Sequence, residues 1–415
     1  MKKILIVSYY FPPLNLIAAK RYGTMCKYFE EYGFEPYIIT TKHDRAFIEW
    51  NVRFDLKLPV SQKQIIQLGK SKKNHEIKNR LIRFILQLLA SNNIASGTVG
   101  TRAFGWFTEV KKNIDFNAIK DVDIVIGTYP GMENLYVARY LAKKIKCPYI
   151  VDIRDLISDY KETPGSTKNI RWIDRIIEKY ILGEASGIIA VTPGFRNILK
   201  KRYPNKKFEV VFNGYDNLEK VRKVNTTSAE KILYYAGSLY MHRLESFELL
   251  VQCLSKINLK MNEKIRLVVR SIGPKALDLK AKKIVQREKV QEFVTILGAV
   301  SEEVIRQEQQ NSYINIIFST IHEYDEALVT TIPGKLYEML NMNPPILAIA
   351  PGRSDINYIL ENTRKGIATV LEEEIIRFIL KGNNEYTGNG NITCFTRKRQ
   401  AKRFCKFVNE VLEDI

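Results

Sequence analysis

Short, unbroken apolar runs recur along the chain, each bounded by polar or turn residues and most followed by a stretch with helical spacing. The first is Lys3 to Val7, followed by an amphipathic segment from Ile17 to Tyr32 and, after the turn residue Gly33, by Tyr37 to Thr40. DIVIG at 123–127, a helical segment from Met132 to Lys144, PYIVD at 148–152, a helix near Asn169 to Leu182, GIIAV at 187–191 and FEVVF at 208–212 repeat the pattern. Strands covered on both faces lose the alternation of half-buried ones and become continuous apolar runs, and the helices between them carry the chain back to start a parallel neighbour. The pattern therefore predicts a doubly wound α/β domain.

A polar stretch without hydrophobic periodicity, NLEKVRKVNTTSAEK at 217–231, interrupts this rhythm. It restarts with ILYYAG at 232–237 and continues through RLVVRS (266–271), FVTILG (293–298), YINIIF (313–318), PILAIA (345–350) and GIATV (366–370), so a second α/β domain is predicted from near residue 220. The final segment, Arg397 to Leu412, is a basic helix whose Phe404, Phe407, Val408 and Val411 fall on one face. No internal sequence repeat accompanies the two similar halves. Ligands of such sheets bind beyond the carboxyl ends of the strands, so the chemistry is expected in a cleft between the two domains.

Length and composition agree with this: 415 residues with 45% hydrophobic content suffice for two cores and exclude a disordered or collagen-like chain. Charge adds something new, because 65 Lys and Arg against 45 Asp and Glu leave a net +20, an excess that attracts phosphates on nucleic acid, on anionic lipid or on a small molecule. The five cysteines (26, 147, 253, 394, 405) form no CxxC pair, so neither a disulfide framework nor a zinc site is expected and a reducing cytoplasm fits best. Pro12 and Pro13 cut short the first apolar stretch, which favours a buried strand over a signal segment. The apolar run from Leu81 to Ala90 is half the length needed to cross a bilayer.

Two segments carry candidate chemistry. In TTIPGKLYEML at 330–340, Thr331 is placed to cap a helix and Pro333 to occupy its first turn, leaving the amides of 331–335 directed at a space that suits a diphosphate. Lys335 adds a positive charge there, and Glu338, one turn along, is placed to accept both hydroxyls of a ribose. The same pattern serves an ordinary capped helix with a solvated glutamate. In YYAGSLYMHR at 234–243, Gly237 ends a strand and permits close backbone approach, while Ser238 and Arg243 are placed to hold phosphate oxygens, although a surface arginine after a strand is common.

With these segments in view, the sequence resembles retaining glycosyltransferases of the GT-B fold, family 4, over nearly its whole length. The opening ILIVSYYFPP, VDIRD at 151–155, ASGIIAVTPGF at 185–195, VVFNGYD at 210–216, AGSLYMHR, ILGAVS at 296–301 and PGKLYEML followed by PPILAIAPG resemble that family's landmarks in order and spacing. The resemblance implies two Rossmann-like doubly wound domains facing a central cleft: an acceptor domain at 1–216, a donor domain at 217–392, and a C-terminal helix at 393–415 returning to the first. It implies transfer of a sugar from a nucleotide-sugar donor with retained anomeric configuration. By position, Gly237, Ser238 and Arg243 would hold the diphosphate, Gly298 and Ala299 would lie beside the base, Thr331, Ile332, Pro333, Gly334 and Lys335 beside the phosphates and sugar, and Glu338 on the ribose. Asn15 and Arg21 would serve the acceptor. The chain departs from the family at Thr330, where a first glutamate is usual, at Ser238 in place of a phosphate-loop arginine, at Arg243 in place of a lysine, and in an opening loop without glycine. These features are similar to a subgroup that builds bacterial capsule, O-antigen or exopolysaccharide.

No cofactor and no metal are expected. The sole Asp-x-Asp sequence noted, DVD at 121–123, opens a strand, so leaving-group charge would fall to Arg243 and Lys335. Asp155 is the candidate for a polar contact at the reacting groups, whereas Asp152 and Arg154 are equally suited to an internal ion pair. Residues 70–112 hold nine Lys or Arg, and Glu76, Arg80, Arg83 and Gln87 leave Ile77, Leu81, Phe84, Ile85, Leu88 and Leu89 on a wide apolar arc near Phe104, Trp106 and Phe107. Such a helix suits the headgroup layer of an anionic membrane, or equally a core face. The first alternative implies a lipid-linked acceptor and a peripheral position on the inner face of the cytoplasmic membrane. Two rivals are a sugar-nucleotide epimerase of the same fold and a basic nucleic-acid-binding protein; dispersed basic residues and the lack of any nucleic-acid motif argue against the latter.

Overall fold

The computed structural model describes residues 1–42, 53–70, 80–82, 84–85, 101–159, 172–216, 231–260, 264–381, 386, 388 and 390–414. The chain divides into two compact units, Met1–Asn213 with Arg397–Ile415, and Gly214–Thr396.

Unit 1 holds a seven-stranded parallel sheet ordered β3-β2-β1-β4-β5-β6-β7. Its strands are β1 (Lys2–Val7), β2 (Phe34–Lys42), β3 (Ile65–Lys70), β4 (Ile124–Tyr129), β5 (Tyr149–Ile153), β6 (Gly187–Ala190) and β7 (Lys207–Val210). Strand order reverses direction between β1 and β4, which makes their carboxyl ends the crevice of this sheet. The segment Ile17 to Tyr32 is a helix only to Met25 and then continues as two 3₁₀ turns, Cys26–Tyr28 and Glu30–Tyr32, closed by Gly33 in the left-handed region.

The C-terminal helix, Arg397–Leu412, is part of this unit. Phe404 stacks on Phe29 with ring centroids 4.9 Å apart, and Phe404, Phe407, Val408 and Val411 are buried. Gly187 is needed beneath it, because a Cβ there would stand 2.8 Å from the Phe407 ring. Burying four such side chains is worth roughly 1.5–3 kcal/mol each and holds the last sixteen helical residues to the sheet.

Unit 2 holds a six-stranded parallel sheet ordered β10-β9-β8-β11-β12-β13. The strands are β8 (Lys231–Ala236), β9 (Ile265–Arg270), β10 (Val294–Leu297), β11 (Ile314–Phe318), β12 (Ile346–Ile349) and β13 (Gly366–Thr369). The reversal falls between β8 and β11, so the carboxyl ends of those strands, at Ala236 and Phe318, mark the second crevice. Tyr235, Phe247 and Phe318 pack edge or tilted under it and are fully buried.

Alternatives that the sequence left open are decided here. Trp106 takes the core alternative: it is completely buried, donates its indole N–H to the Leu68 carbonyl at 2.8 Å and meets Tyr9 edge-on. Phe104 and Phe107 lie against Tyr136 of the helix Met132–Ile145, so this aromatic group seats the helix Thr101–Asn113 on its neighbour. Most of the basic helix itself, 71–79, 83 and 86–100, lies outside the described residues; Leu81, Ile82, Phe84 and Ile85 are described and exposed. Asp152 does form an internal ion pair, but with Arg21 in place of Arg154. No helix among the described residues is long and apolar enough to cross a membrane.

Candidate donor site in unit 2

Strand β8 delivers Gly237 to the crevice with φ +152°, a backbone conformation that side chains rarely adopt, and a Cβ there would stand 2.8 Å from the Lys335 Nζ. That ammonium donates to the Ala236 carbonyl at 2.8 Å and sits 3.5 Å from the centroid of the Tyr235 ring. The Tyr235 hydroxyl in turn donates to the Ser238 carbonyl at 2.9 Å, and Arg243 Nη1 donates to that same oxygen at 3.1 Å. Gly237, Ser238, Arg243 and Lys335 are thus tied into one constellation by backbone carbonyls and one aromatic face.

It contains two cations and no acid. Burial first, and the charge of Arg243 second, push the Lys335 pKa well below the ordinary lysine range. The same two causes bring His242 down to about 4, leaving it neutral at physiological pH. Arg243 Nε is buried without a hydrogen-bond partner among the described residues. Uncompensated charge of this kind is costly in a resting protein and is relieved by an anionic ligand.

A cavity of about 170 Å³ opens beside the constellation and is lined by Gly237, Ala299, Lys335 and Glu338, together with Arg270, Ile272, Glu302, Ile305, Arg306 and Met342. Of the residues singled out in the sequence, these first four share one space. Glu338 is exposed and makes no hydrogen bond or ion pair among the described residues, so its carboxylate is available. Arg243 is not in the lining; its charge acts on Lys335, which is. Gly298 lies next to the cavity on an exposed loop where an added Cβ would meet nothing. A larger cavity of about 610 Å³ lies elsewhere, at the free edge of β13 among Glu361, Arg377, Lys381 and Tyr386, and contains none of the singled-out residues.

The helix Gly334–Leu340 differs in detail from expectation. Pro333 is its N-cap rather than part of its first turn, and Thr331 does not cap it, because the Thr331 hydroxyl donates to the Ala327 carbonyl at 2.7 Å. Ile332 is buried and Gly334 exposed at the helix start. Thr330, standing where the family has its first glutamate, donates to Glu326. Arg270, Arg306 and Glu302 escaped sequence reasoning; the one available signal was that Arg270 ends a strand and the other two follow ILGAVS. Arg270 is held by Glu308 and Tyr234 shares that carboxylate, so the Arg270 side chain is fixed at the cavity wall.

The residues nominated in unit 1 are differently employed. Arg21 is buried and all five of its N–H groups are used: two on Asp152 at 2.7 and 2.8 Å, and the rest on the Val211 and Phe212 carbonyls and Asn213 Oδ1. No donor of Arg21 is left for an acceptor, which corrects that expectation. Asn15 donates to Asp55 at 2.8 Å on the surface, and Asp155 is half-buried just after β5. The first carboxylate of DVD is 4.0 Å from Lys3 Nζ, and Asp123 accepts from the Lys3 backbone at 2.5 Å, both at the amino end of β4 and away from the crevice. Among the described residues no group of three acids, histidines or cysteines is placed to hold a metal ion.

No family model matches the chain, and no curated protein is similar to it in sequence. Solved structures are similar in fold. A glycosyltransferase from Rickettsia africae superposes with a TM-score of 0.61 at 17% identity, covering 100% of this chain and 99% of its own. The pneumococcal O-GlcNAc transferase GtfA, solved in complex with UDP and GlcNAc, gives 0.57 at 10% identity over 100% and 99%. A putative UDP-N-acetylglucosamine 2-epimerase from Listeria monocytogenes gives 0.53 at 10% identity over 100% and 98%. The fold is therefore GT-B, two Rossmann-like sheets in one chain.

Proposed function

We propose that the chain is a glycosyltransferase that takes a sugar from a nucleotide-sugar donor bound in unit 2. The observation that carries this is the Gly237–Lys335–Arg243 constellation beside a cavity shared with Ala299 and Glu338: a cationic, partly desolvated end for a diphosphate and a free carboxylate one helical turn away for a ribose. Solved structures of the same fold, a glycosyltransferase and an O-GlcNAc transferase in complex with UDP, support the donor class.

In this reading the diphosphate leaves as Arg243 and Lys335 take up its charge, and the acceptor hydroxyl attacks the same face of an oxocarbenium-like centre and gives its proton to the departing diphosphate, with retention and without a metal. Glu338 holds the ribose hydroxyls, Ala299 and Gly298 border the base, and Asp155 is a polar contact for the reacting groups. The acceptor is a lipid-linked or oligosaccharide chain of a bacterial surface polysaccharide, and the exposed Leu81, Ile82, Phe84 and Ile85 beside a basic stretch support a peripheral place on an anionic membrane. Incubation with UDP-, GDP-, CDP- and ADP-sugars and membrane glycolipid extract tests it: release of nucleoside diphosphate dependent on acceptor is expected, and no turnover of any donor contradicts it.

The epimerase of the same fold is a second reading, favoured by the Listeria structure. Conversion of a nucleotide sugar to its epimer with no acceptor present would decide for it.

A further inference from the structure

In unit 1, strand β5 ends with two charged residues of opposite fate. Asp152 is completely buried and its carboxylate is filled, accepting twice from Arg21, once from the Tyr22 hydroxyl at 2.9 Å and once from Thr128 at 3.2 Å. Arg154, two residues on and half-buried, therefore finds no charge partner there. Its Nε donates to the Tyr129 carbonyl at 3.2 Å, the same oxygen that receives the Arg154 backbone N–H at 2.9 Å. That pair of bonds pins the stem against the end of β4 and leaves Nη1 and Nη2 without a hydrogen bond or ion pair among the described residues, yet not sealed from solvent.

The charged neighbours of Arg154 are Asp152, already neutralised by Arg21, the adjacent Asp155, and Arg21 itself. Burial outweighs the two acids and lowers the Arg154 pKa, which marks a guanidinium with less stabilisation than it would have in water. A planar fork with two free nitrogens, held at its base and located at the carboxyl ends of β4 and β5, has the geometry that takes phosphate oxygens in pairs.

We propose that Arg154 is an oxyanion-binding residue of unit 1, with Nη1 and Nη2 holding a phosphate or diphosphate group carried by the acceptor. Only the assignment of that group to an acceptor rests on the transfer reaction proposed above. The oxyanion site itself stands on the filled Asp152 and the pinned, half-free guanidinium. A phosphate in this position selects phosphate-bearing acceptors over neutral sugars, and it makes Arg154 a specificity residue with little part in holding the donor.

Arginine modification by phenylglyoxal, read residue by residue by mass spectrometry, tests the site on the full chain. Arg154 should be labelled in the free protein and protected by millimolar inorganic pyrophosphate, while Arg21, with all its donors engaged, should stay unlabelled in both states. Failure of Arg154 to label, or labelling indifferent to pyrophosphate, overturns the site. Protection by UDP or another nucleoside diphosphate as strong as that by pyrophosphate would assign the anion to the donor and overturn the acceptor assignment. In the transfer assay, Arg154→Gln should raise KM for a phosphate-bearing acceptor about ten- to hundredfold and leave KM for the donor and for the same sugar as a neutral methyl glycoside unchanged. Arg154→Lys, which keeps the charge and loses the fork, should fall between. Equal loss on charged and neutral acceptors contradicts the proposal, whereas absence of any transfer would remove the reaction and leave the protection experiment to decide the site.

Discussion

The two units handle positive charge in opposite ways. In unit 1 the buried Arg21 meets Asp152 in a two-bond fork and spends its remaining donors on Val211, Phe212 and Asn213, so that its charge is cancelled and its role is structural. In unit 2 Lys335 and Arg243 face each other across Tyr235 and Ser238 with no carboxylate between them. The lesson is that a basic residue in a crevice is informative when its counter-charge is missing. Net charge is distributed differently again: unit 1 holds 42 Lys and Arg against 23 Asp and Glu, and unit 2 holds 23 against 22. The excess of +20 thus belongs almost wholly to unit 1, and the cations of the candidate donor site owe nothing to it.

The largest expected effect is on the compensated side. Asp152→Asn leaves Arg21 buried beside a neutral amide, and breaking a buried pair in this way costs about 3–5 kcal/mol, so urea unfolding should shift strongly while surviving folded protein keeps its affinity for nucleotide. A midpoint close to that of the parent chain would mean that Arg21 is not held by charge.

On the uncompensated side, Arg243→Gln should leave stability near that of the parent and slow transfer about a hundredfold or more, because leaving-group charge is greatest in the transition state. Glu338→Ala should weaken donor binding about tenfold, a smaller effect since the carboxylate is exposed. Calorimetry of nucleoside diphosphate binding measures it, and unchanged affinity removes Glu338 from the ribose.

The smallest effect is a pH dependence. Lys335 has its pKa lowered in the fold, so between that lowered value and about 10.5 the unfolded chain binds a proton that the folded chain does not, and stability rises with pH across this interval. Lys335→Met should flatten that slope. Persistence of the slope in the variant would place its origin elsewhere.

Much of this architecture was legible in the sequence, because parallel strands in a double-sided sheet must be apolar throughout; the C-terminal helix emerges with its expected limits, Arg397 to Leu412. Strand β3 was not foreseen, since Ile65–Lys70 is an edge strand interrupted by Gln67 and Gly69. Within the candidate site, the nearness of residues on one strand end or one helix turn was legible: Gly237, Lys335 and Glu338, which line one cavity, were singled out from local spacing. Partners brought together by the fold were not. Asp152 meets Arg21 from 131 positions away, although Arg154 is two residues off, because strand neighbours two apart point to the same face while the fork is decided by the helix packed over it. Trp106 stayed undecided for a similar reason: an aromatic beside basic residues suits a membrane as well as a core, and only the Leu68 carbonyl distinguishes them.

The most direct test is a thermal-denaturation panel of the parent chain and Lys335→Met with UDP, GDP, CDP and ADP. At a concentration about a hundred times its Kd, a bound nucleotide stabilises by about 2.7 kcal/mol, so at least one should raise the melting temperature of the parent by several degrees and leave Lys335→Met nearly unmoved. No shift with any of the four, or an equal shift in the variant, would contradict a diphosphate held between Gly237, Lys335 and Arg243.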